Sequence, residues 1–245
     1  MLSRVSIPGL LITGTDTGIG KTVIAGAVAM WFRQHGQRTG VLKPAASGCV
    51  RRREGLVSED AEFLAHCADA KQPLDVIAPQ RFAEPLAPSV AARRAKVMFD
   101  WSAVQRSLDA ITRESDVIVV EGVGGIMVPM DETHTMLDVA KWLGLAAVVV
   151  ARPALGTINH TLLTIEALRR ANVPIAGVVI NRYPAESPTV AEETNPREIE
   201  KWGKAPVLCI VPQTKEPIGL HMPADILAAT NPVDWARLAG LYVER

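Results

Sequence analysis

A mainly parallel β-sheet flanked by helices on both faces is the fold class this sequence predicts, and three observations carry it. Short apolar runs rich in Val and Ile recur along the chain, helical patterns lie between several of them, and a glycine-rich loop joins the first run to the first helix. The runs are Leu10 to Thr13, Thr39 to Leu42, Asp116 to Val120, Ala146 to Ala151, Ile175 to Ile180 and Val207 to Val211. Continuous apolar strands are buried on both faces, the condition of a parallel sheet between two helix layers. Helices are expected over Thr22 to His35, closed by Gly36, over Trp101 to Glu114, and over Thr157 to Ala171. The last has Leu162, Leu163, Ile165, Ala167 and Leu168 on its apolar side. Strand followed by helix, repeated, gives the α/β class. Tyr183 to Arg197, with Pro184, Pro188 and Pro196 among polar residues, reads as an exposed excursion with at most a turn of helix. A chain of 245 residues with 48% apolar content buries a substantial core, and one domain over residues 1–245 is expected.

Lys plus Arg and Asp plus Glu both number 26, which leaves no net field to draw the chain to nucleic acid or to an anionic membrane surface. The expected partners are small molecules or protein. No apolar run approaches the roughly 20 residues needed to cross a bilayer, and Met1 to Gly14 has no cleavable small-residue site behind its apolar stretch. Cys49, Cys67 and Cys209 are widely spaced and form no CxxC pair, which fits buried thiols in a reducing compartment rather than a disulfide framework or zinc site. A cytoplasmic location is expected.

Gly14-Thr-Asp-Thr-Gly-Ile-Gly-Lys21-Thr22 follows a predicted strand and opens a predicted helix, the context a phosphate-binding loop requires. Successive backbone N–H groups surround phosphate oxygens, the helix start adds partial positive charge, and Gly18 and Gly20 allow the tight path. Thr17, Gly18, Ile19, Gly20, Lys21, Thr22 and Val23 are therefore expected to bind nucleotide, with Lys21 on the terminal phosphates and the Thr22 hydroxyl on Mg²⁺. This places the sheet in the P-loop NTPase type. The spacing is longer than the common one, since Gly14 lies six residues before Gly20 and Thr15 stands five before it.

Ligands of such sheets bind beyond the carboxyl ends of the strands. There the second strand ends in Lys43-Pro-Ala-Ala-Ser47-Gly48. Lys43 is either a stabiliser of a transferred phosphoryl group or a solvated lysine closing a strand. The third run leads into Glu121-Gly-Val-Gly124-Gly125, where a carboxylate after four apolar residues is costly without a cation nearby, so Glu121 reads as a Mg²⁺ ligand. Asp60, in Ser58-Glu-Asp-Ala61, reads locally as an acid matched to a helix dipole. Arg51-Arg52-Arg53 with Glu54 reads as a solvated loop.

In order along the chain, TGTDTGIGKT (Thr13 to Thr22), KPAASG (Lys43 to Gly48), EDA (Glu59 to Ala61), FAEPLAPSVAA (Phe82 to Ala92), VVEGVGG (Val119 to Gly125), LGTINHTLLT (Leu155 to Thr164) and VVIN (Val178 to Asn181) resemble the dethiobiotin synthetase family over most of its length. The resemblance implies ATP-dependent carboxylation and ring closure of 7,8-diaminononanoate with CO2, giving dethiobiotin, ADP and phosphate. It implies Lys43 as the catalytic lysine near carbamate and γ-phosphate, with Lys21 and Thr15 beside it, and Ser47 on the diamine. Mg²⁺ falls to Thr22, Asp60 and Glu121. Gly124 lines the nucleotide, Asn181 reads the base with its amide, and Pro212, Gln213 and Thr214 lie beside the base. A homodimer is implied, with Gly156, Thr157 and Asn159 at a helix start receiving the substrate carboxylate across the interface; Thr157 or Asn159 would cap that helix. His160, in the same place, reads as structural.

Two positions depart from the family pattern: Gly18, where many members carry an acid, and Arg182, where they carry Asp after the base-reading Asn. A dimeric P-loop ATPase switch of the partitioning type is the alternative. It is disfavoured because Thr15-Asp16-Thr17 lacks that group's extra loop lysine and Asp234 to Arg245 forms no basic amphipathic helix.

Overall fold

The computed structural model describes residues 1–53, 55–214 and 219–241. Glu54, and residues 242–245 of the stretch read above for a membrane helix, lie outside the described residues. The first half of the chain holds β1 (Gly9–Gly14), α1 (Lys21–Gln34), β2 (Thr39–Leu42), β3 (Ala45–Ser47), β4 (Val50–Arg52), β5 (Gly55–Val57), α2 (Glu59–Ala68), α3 (Leu74–Ile77), β6 (Gln80–Phe82), α4 (Pro88–Arg94) and α5 (Trp101–Glu114). The second holds β7 (Val117–Glu121), α6 (Met136–Leu143), β8 (Ala146–Ala151), α7 (Thr157–Arg170), β9 (Ile175–Tyr183), α8 (Val190–Gly203), β10 (Val207–Pro212), α9 (Ala224–Thr230) and α10 (Trp235–Leu238). No helix among the described residues is long and apolar enough to cross a membrane.

The central sheet has the order β10-β9-β8-β1-β7-β2, and every pairing in it is parallel. Because successive side chains of a strand point to opposite faces, each apolar run feeds two cores. Leu10, Ile12, Val117, Val119, Val148 and Val150 pack with Ile24, Val28 and Phe32 of α1 on one side. Leu11, Ile118, Val120, Ala147 and Val149 pack with Leu108 and Ile111 of α5 and Val139 and Leu143 of α6 on the other. That is why the strands read as continuous rather than alternating apolar runs. β1 lies between β8 and β7, so the loop leaving it is at the middle of the carboxyl edge.

Three sequence expectations need correcting in part, each for a physical reason. Tyr183 to Arg197 is largely exposed as expected but holds more than a turn of helix, because α8 begins at a capping box in which Thr189 and Glu192 satisfy each other's backbone N–H groups. The helix runs past Pro196 and is held by packing: Asn195 Nδ2 donates to the Pro153 carbonyl at 2.7 Å, and Ile199 is fully buried. Leu163 is not on the apolar side of α7 but 61% exposed. The arginine run is exposed but not all loop: Arg51 and Arg52 lie in the first strand of a small antiparallel hairpin, β4 with β5, Arg53 follows in its turn, and Arg52 grips Glu62 of α2 with two hydrogen bonds of 2.6 and 2.9 Å.

One close approach sets the position of α2, the helix that carries Asp60. Gly26 of α1 faces it without a side chain, and a Cβ there would overlap the Phe63 ring and stand 3.0 Å from Cys67 Sγ. Overpacking of this kind costs about 1–3 kcal/mol. Gly26→Ala is expected to lower unfolding free energy by that amount in denaturant titration; unaltered stability would show that α2 docks more loosely than described.

Candidate active site

The loop between β1 and α1 is shaped by backbone contacts before any ligand enters. Thr15 N–H donates to the Val150 carbonyl at 3.0 Å, tying the loop to the end of β8. Gly18 and Gly20 adopt φ of 73° and 90°, the left-handed region in which glycine alone is unstrained. Gly20 is also where Asn181 arrives from the end of β9. Asn181 Nδ2 donates to the Ile19 carbonyl at 2.8 Å, and a Cβ on Gly20 would overlap that amide. Helix α1 starts at Lys21 with no side-chain cap and no acid in its first turn, which leaves N–H groups and the positive end of its dipole facing the loop. Lys21 is buried, its Nζ donating to the Asp16 carbonyl at 2.7 Å. Burial pulls its pKa down to about 8, with the Glu121 carboxylate opposing.

Beside this loop, parallel register decides which charges meet. Leu42 of β2 pairs with Val120 of β7, so the next residues, Lys43 and Glu121, leave adjacent strand ends at the same level. Lys43 is 5% exposed and its Nζ donates to Glu121 Oε1 at 2.8 Å and to Asp60 Oδ2 at 2.6 Å. The solvated-lysine alternative is thereby excluded. Asp60 reaches this point because Ser58 caps α2, its Oγ accepting from Ala61 N–H at 3.2 Å, and fixes the first turn. Burial alone would lower Lys43, but the two carboxylates outweigh it and hold the ammonium above its ordinary value. Burial works against Asp60 too, and there Lys43 wins and lowers the carboxyl. For Glu121 burial wins and pushes it upward against the pull of Lys43. The opposite outcomes for the two acids follow from exposure: Glu121 is 1% exposed, whereas the Asp60 side chain is 48% exposed.

The same pocket fits a divalent cation. Thr22 Oγ1 donates to Glu121 Oε1 at 2.8 Å, while Glu121 Oε2 is buried with no hydrogen-bond partner among the described residues. An orphaned buried carboxylate oxygen is expensive, and a cation would remove that cost. A hydroxyl and two carboxylates are hard oxygen donors of the kind Mg²⁺ takes when it shares its shell with water and phosphate. Among the described residues there is no cluster of three or more His, Cys, Asp or Glu, so no all-protein metal cage competes.

The remaining expected residues divide into three places. Thr17, Gly18, Gly20, Val23, Gly124 and Ser47 join the charged group around one cleft. Ile19 lies buried beneath the loop. Ser47 stands there because β3 pairs with β6 in parallel, Ser47 opposite Phe82, which brings the KPAASG and FAEP blocks side by side. Pro212, Gln213 and Thr214 line a separate cavity of about 880 Å³ beyond β10, together with Pro184, Ser187 and Asp225. Thr15 lines a third concavity with Met127, His160 and Leu163, next to the start of α7. At that start the cap residue is Gly156, at φ 95° and without a side-chain hydrogen bond, so neither Thr157 nor Asn159 is the cap. Thr157 is fully buried with its hydroxyl 3.5 Å from that of Thr161, whereas Asn159 is exposed. Arg152 escaped the sequence reading of the site, and Arg182 entered it only as a departure from the family pattern. Arg152, following β8, lies 4.0 Å from Asp16 and 3.4 Å from His160 Nδ1, and Arg182 lines the charged cleft itself. Arg182 had a signal, its place after Asn181; Arg152 had none beyond lying at a strand end.

A family profile described as "AAA domain" matches residues 8–218. An ATP-dependent dethiobiotin synthetase of Thermodesulfovibrio yellowstonii is 36% identical over 215 residues, 85% of this chain and 90% of the relative. Proteins of the same description from Anaeromyxobacter dehalogenans (strain 2CP-C) and Bacillus subtilis (strain 168) are 42% and 37% identical over 83% and 89% of this chain, and 89% and 94% of theirs. Among solved structures, the MinC:MinD cell division protein complex of Aquifex aeolicus aligns with a TM-score of 0.56 at 13% identity, covering 97% of this chain and 98% of that one. A ParA family ATPase of Chlorobium tepidum aligns at 0.50 with 15% identity, over 96% and 94% of the two chains. These structures share the fold, a P-loop NTPase sheet flanked by helices, and at such identity nothing more. Identities of 36%, 42% and 37% over 85%, 83% and 89% of this chain show the family: the chain belongs to the ATP-dependent dethiobiotin synthetase family.

Proposed function

We propose that the protein closes a cyclic urea on 7,8-diaminononanoate, consuming CO2 and ATP and releasing dethiobiotin, ADP and phosphate. The observation that carries the reading is the buried Lys43, held between Glu121 and Asp60 at the mouth of a phosphate-binding loop. One amine takes up CO2 as a carbamate, a carbamate oxygen attacks the γ-phosphorus and ADP leaves, and the second amine then attacks the carbamoyl carbon and expels phosphate. Two anions must be brought together for the middle step, so the site's main task is fixed positive charge at their meeting point. Lys43 and Lys21 supply that charge, Thr15 and Thr17 flank the transferred group, and Ser47 orients the diamine. Gly18, Gly20, Val23 and Gly124 surround the phosphates, and Asn181 with Pro212, Gln213 and Thr214 takes the base. Mg²⁺ held by Thr22, Asp60 and Glu121 would neutralise phosphate charge.

The reading extends to a cytoplasmic homodimer whose protomers are each one domain over residues 1–245. Its support is the apolar surface beside the substrate side of the loop, where Leu155, Met127 and Leu163 are 83%, 59% and 61% exposed. Apolar groups so placed mark an interface, and the uncapped start of α7 amid them would receive the diamine's carboxylate from the partner.

Purified protein given the diamine, bicarbonate, Mg²⁺ and ATP should form a cyclic urea detected by mass; no product with any nucleotide sinks the assignment. Lys43→Ala should lower turnover by at least about 10²–10³-fold while nucleotide still binds, because it removes a cation aimed at the transferred group and leaves the loop intact. Turnover near wild type would take Lys43 out of the mechanism. The Lys21 ammonium supplies a pH test. With a pKa near 8 it is largely neutral at pH 9 in the free protein, and a bound triphosphate raises it again. Nucleotide binding at pH 9 is therefore expected to take up a proton, and the uptake disappears below about pH 7, where Lys21 is already charged. Calorimetric binding enthalpies that do not vary between buffers of different ionisation heat at pH 9 would contradict this.

A further inference from the structure

We propose that Arg182 is a phosphate-binding residue, a third cation that a bulge in β9 turns over the outer side of the nucleotide loop. Five non-glycine residues among those described have positive φ. Asp69, Lys96, Asn172 and Lys204 do so at or just after helix ends, where the left-handed conformation closes a helix. Arg182, at φ 61°, lies instead inside a strand. The pairing with β10 explains how: Ile210 pairs with Ile180 but Pro212 with Tyr183, so β9 carries one residue more than its partner across this interval. Bulges bend a strand and re-aim its side chains, and they concentrate beside functional sites. Here the bulge turns Asn181 inward onto Ile19 and brings Arg182 to the loop, its Nε 3.9 Å from where a Cβ of Gly20 would stand.

The conformation itself gives no reason for arginine, since glycine or asparagine adopts it at lower cost. Protein contacts give none either, because Arg182 is exposed and its side chain makes no hydrogen bond or ion pair with any described residue. What the guanidinium faces is the cleft formed by Thr17, Gly18, Lys21 and Thr22, with Lys43 and Glu121 also lining it. The ligand chemistry that fits an unpaired planar cation beside a ring of backbone N–H groups is a nucleotide's diphosphate or triphosphate, which a guanidinium grips with two parallel hydrogen bonds. Arg182 thus covers the phosphates from the side on which Asn181 and the base cavity lie, while Lys21 and Lys43 serve the end where chemistry occurs. This rests on the proposal that the loop holds a nucleoside triphosphate and is independent of the diamine reaction.

The test is calorimetric binding of adenosine, ADP and ATP with Mg²⁺ to the full chain and to R182A, R182K and R182G. R182A should weaken ADP and ATP by about 10- to 100-fold, the loss of hydrogen bonds to a charged group, and leave adenosine unchanged. R182K should recover only part of the loss. R182G should lose the same affinity although its melting temperature rises by about 2–4 °C as the left-handed strain is relieved, which separates ligand contact from a structural role. ADP and ATP binding by R182A and R182G equal to wild type overturns the proposal, as does an equal loss for adenosine. ATP binding by wild type without cyclic-urea formation overturns the reaction and leaves Arg182 in place.

Discussion

A lysine and a glutamate removed from water at the ends of two neighbouring strands are the constraint around which this molecule is arranged. Lys43 and Glu121 are each at most 5% exposed, and neither charge is tolerable there without the other. Their meeting depends on the register of β2 with β7. That register depends on the two-sided apolar packing of both strands, since a slip of one residue would turn every side chain to the wrong core. The site is in that sense a readout of the sheet: the cores fix the register, the register fixes the ion pair, and the ion pair fixes Thr22 and Asp60.

The network is incomplete on purpose in one physical sense. Three hydrogen bonds converge on it from Lys43 and Thr22, yet one Glu121 oxygen accepts none. A fully satisfied pair would be a structural cross-link, indifferent to ligands. An acid driven upward by burial and left half-paired keeps a strong preference for a cation arriving from the cleft. Burial also pulls the pKa of the Lys21 ammonium down to about 8, so the cleft holds an acid and a cation each shifted toward its neutral form by desolvation.

Much of this was legible in the sequence because it is written in local chemistry. The strands announced themselves through burial on both faces; Thr39–Leu42, Ala146–Ala151 and the helix Trp101–Glu114 lie where the pattern put them. The loop was legible because glycines at fixed offsets serve one backbone path. Asp60 was not, because its role is set by Lys43, 17 residues away in sequence, and a helix-start acid looks the same whether or not a cation waits opposite. Helix α8 was missed because Pro196 reads as a breaker, while the capping box and the buried Asn195 that hold the helix are tertiary facts. Leu163 was assigned to the wrong side of α7 because periodicity finds an apolar stripe without saying what covers it. Arg182 could be seen only as an odd residue after Asn181 until the bulge showed where it goes.

The hydrogen bond from Asn181 to the Ile19 carbonyl has a consequence for how this chain could tell one nucleotide from another. Asn181 is the proposed reader of the base, yet its N–H is already committed to the loop that holds the phosphates. The same amide occupies the space that a Cβ on Gly20 would fill, so its placement and the path of the loop before Lys21 are set together. The two ends of the proposed nucleotide site therefore share one side chain, and a substitution at Asn181 disturbs the phosphate loop as well as the end of β9.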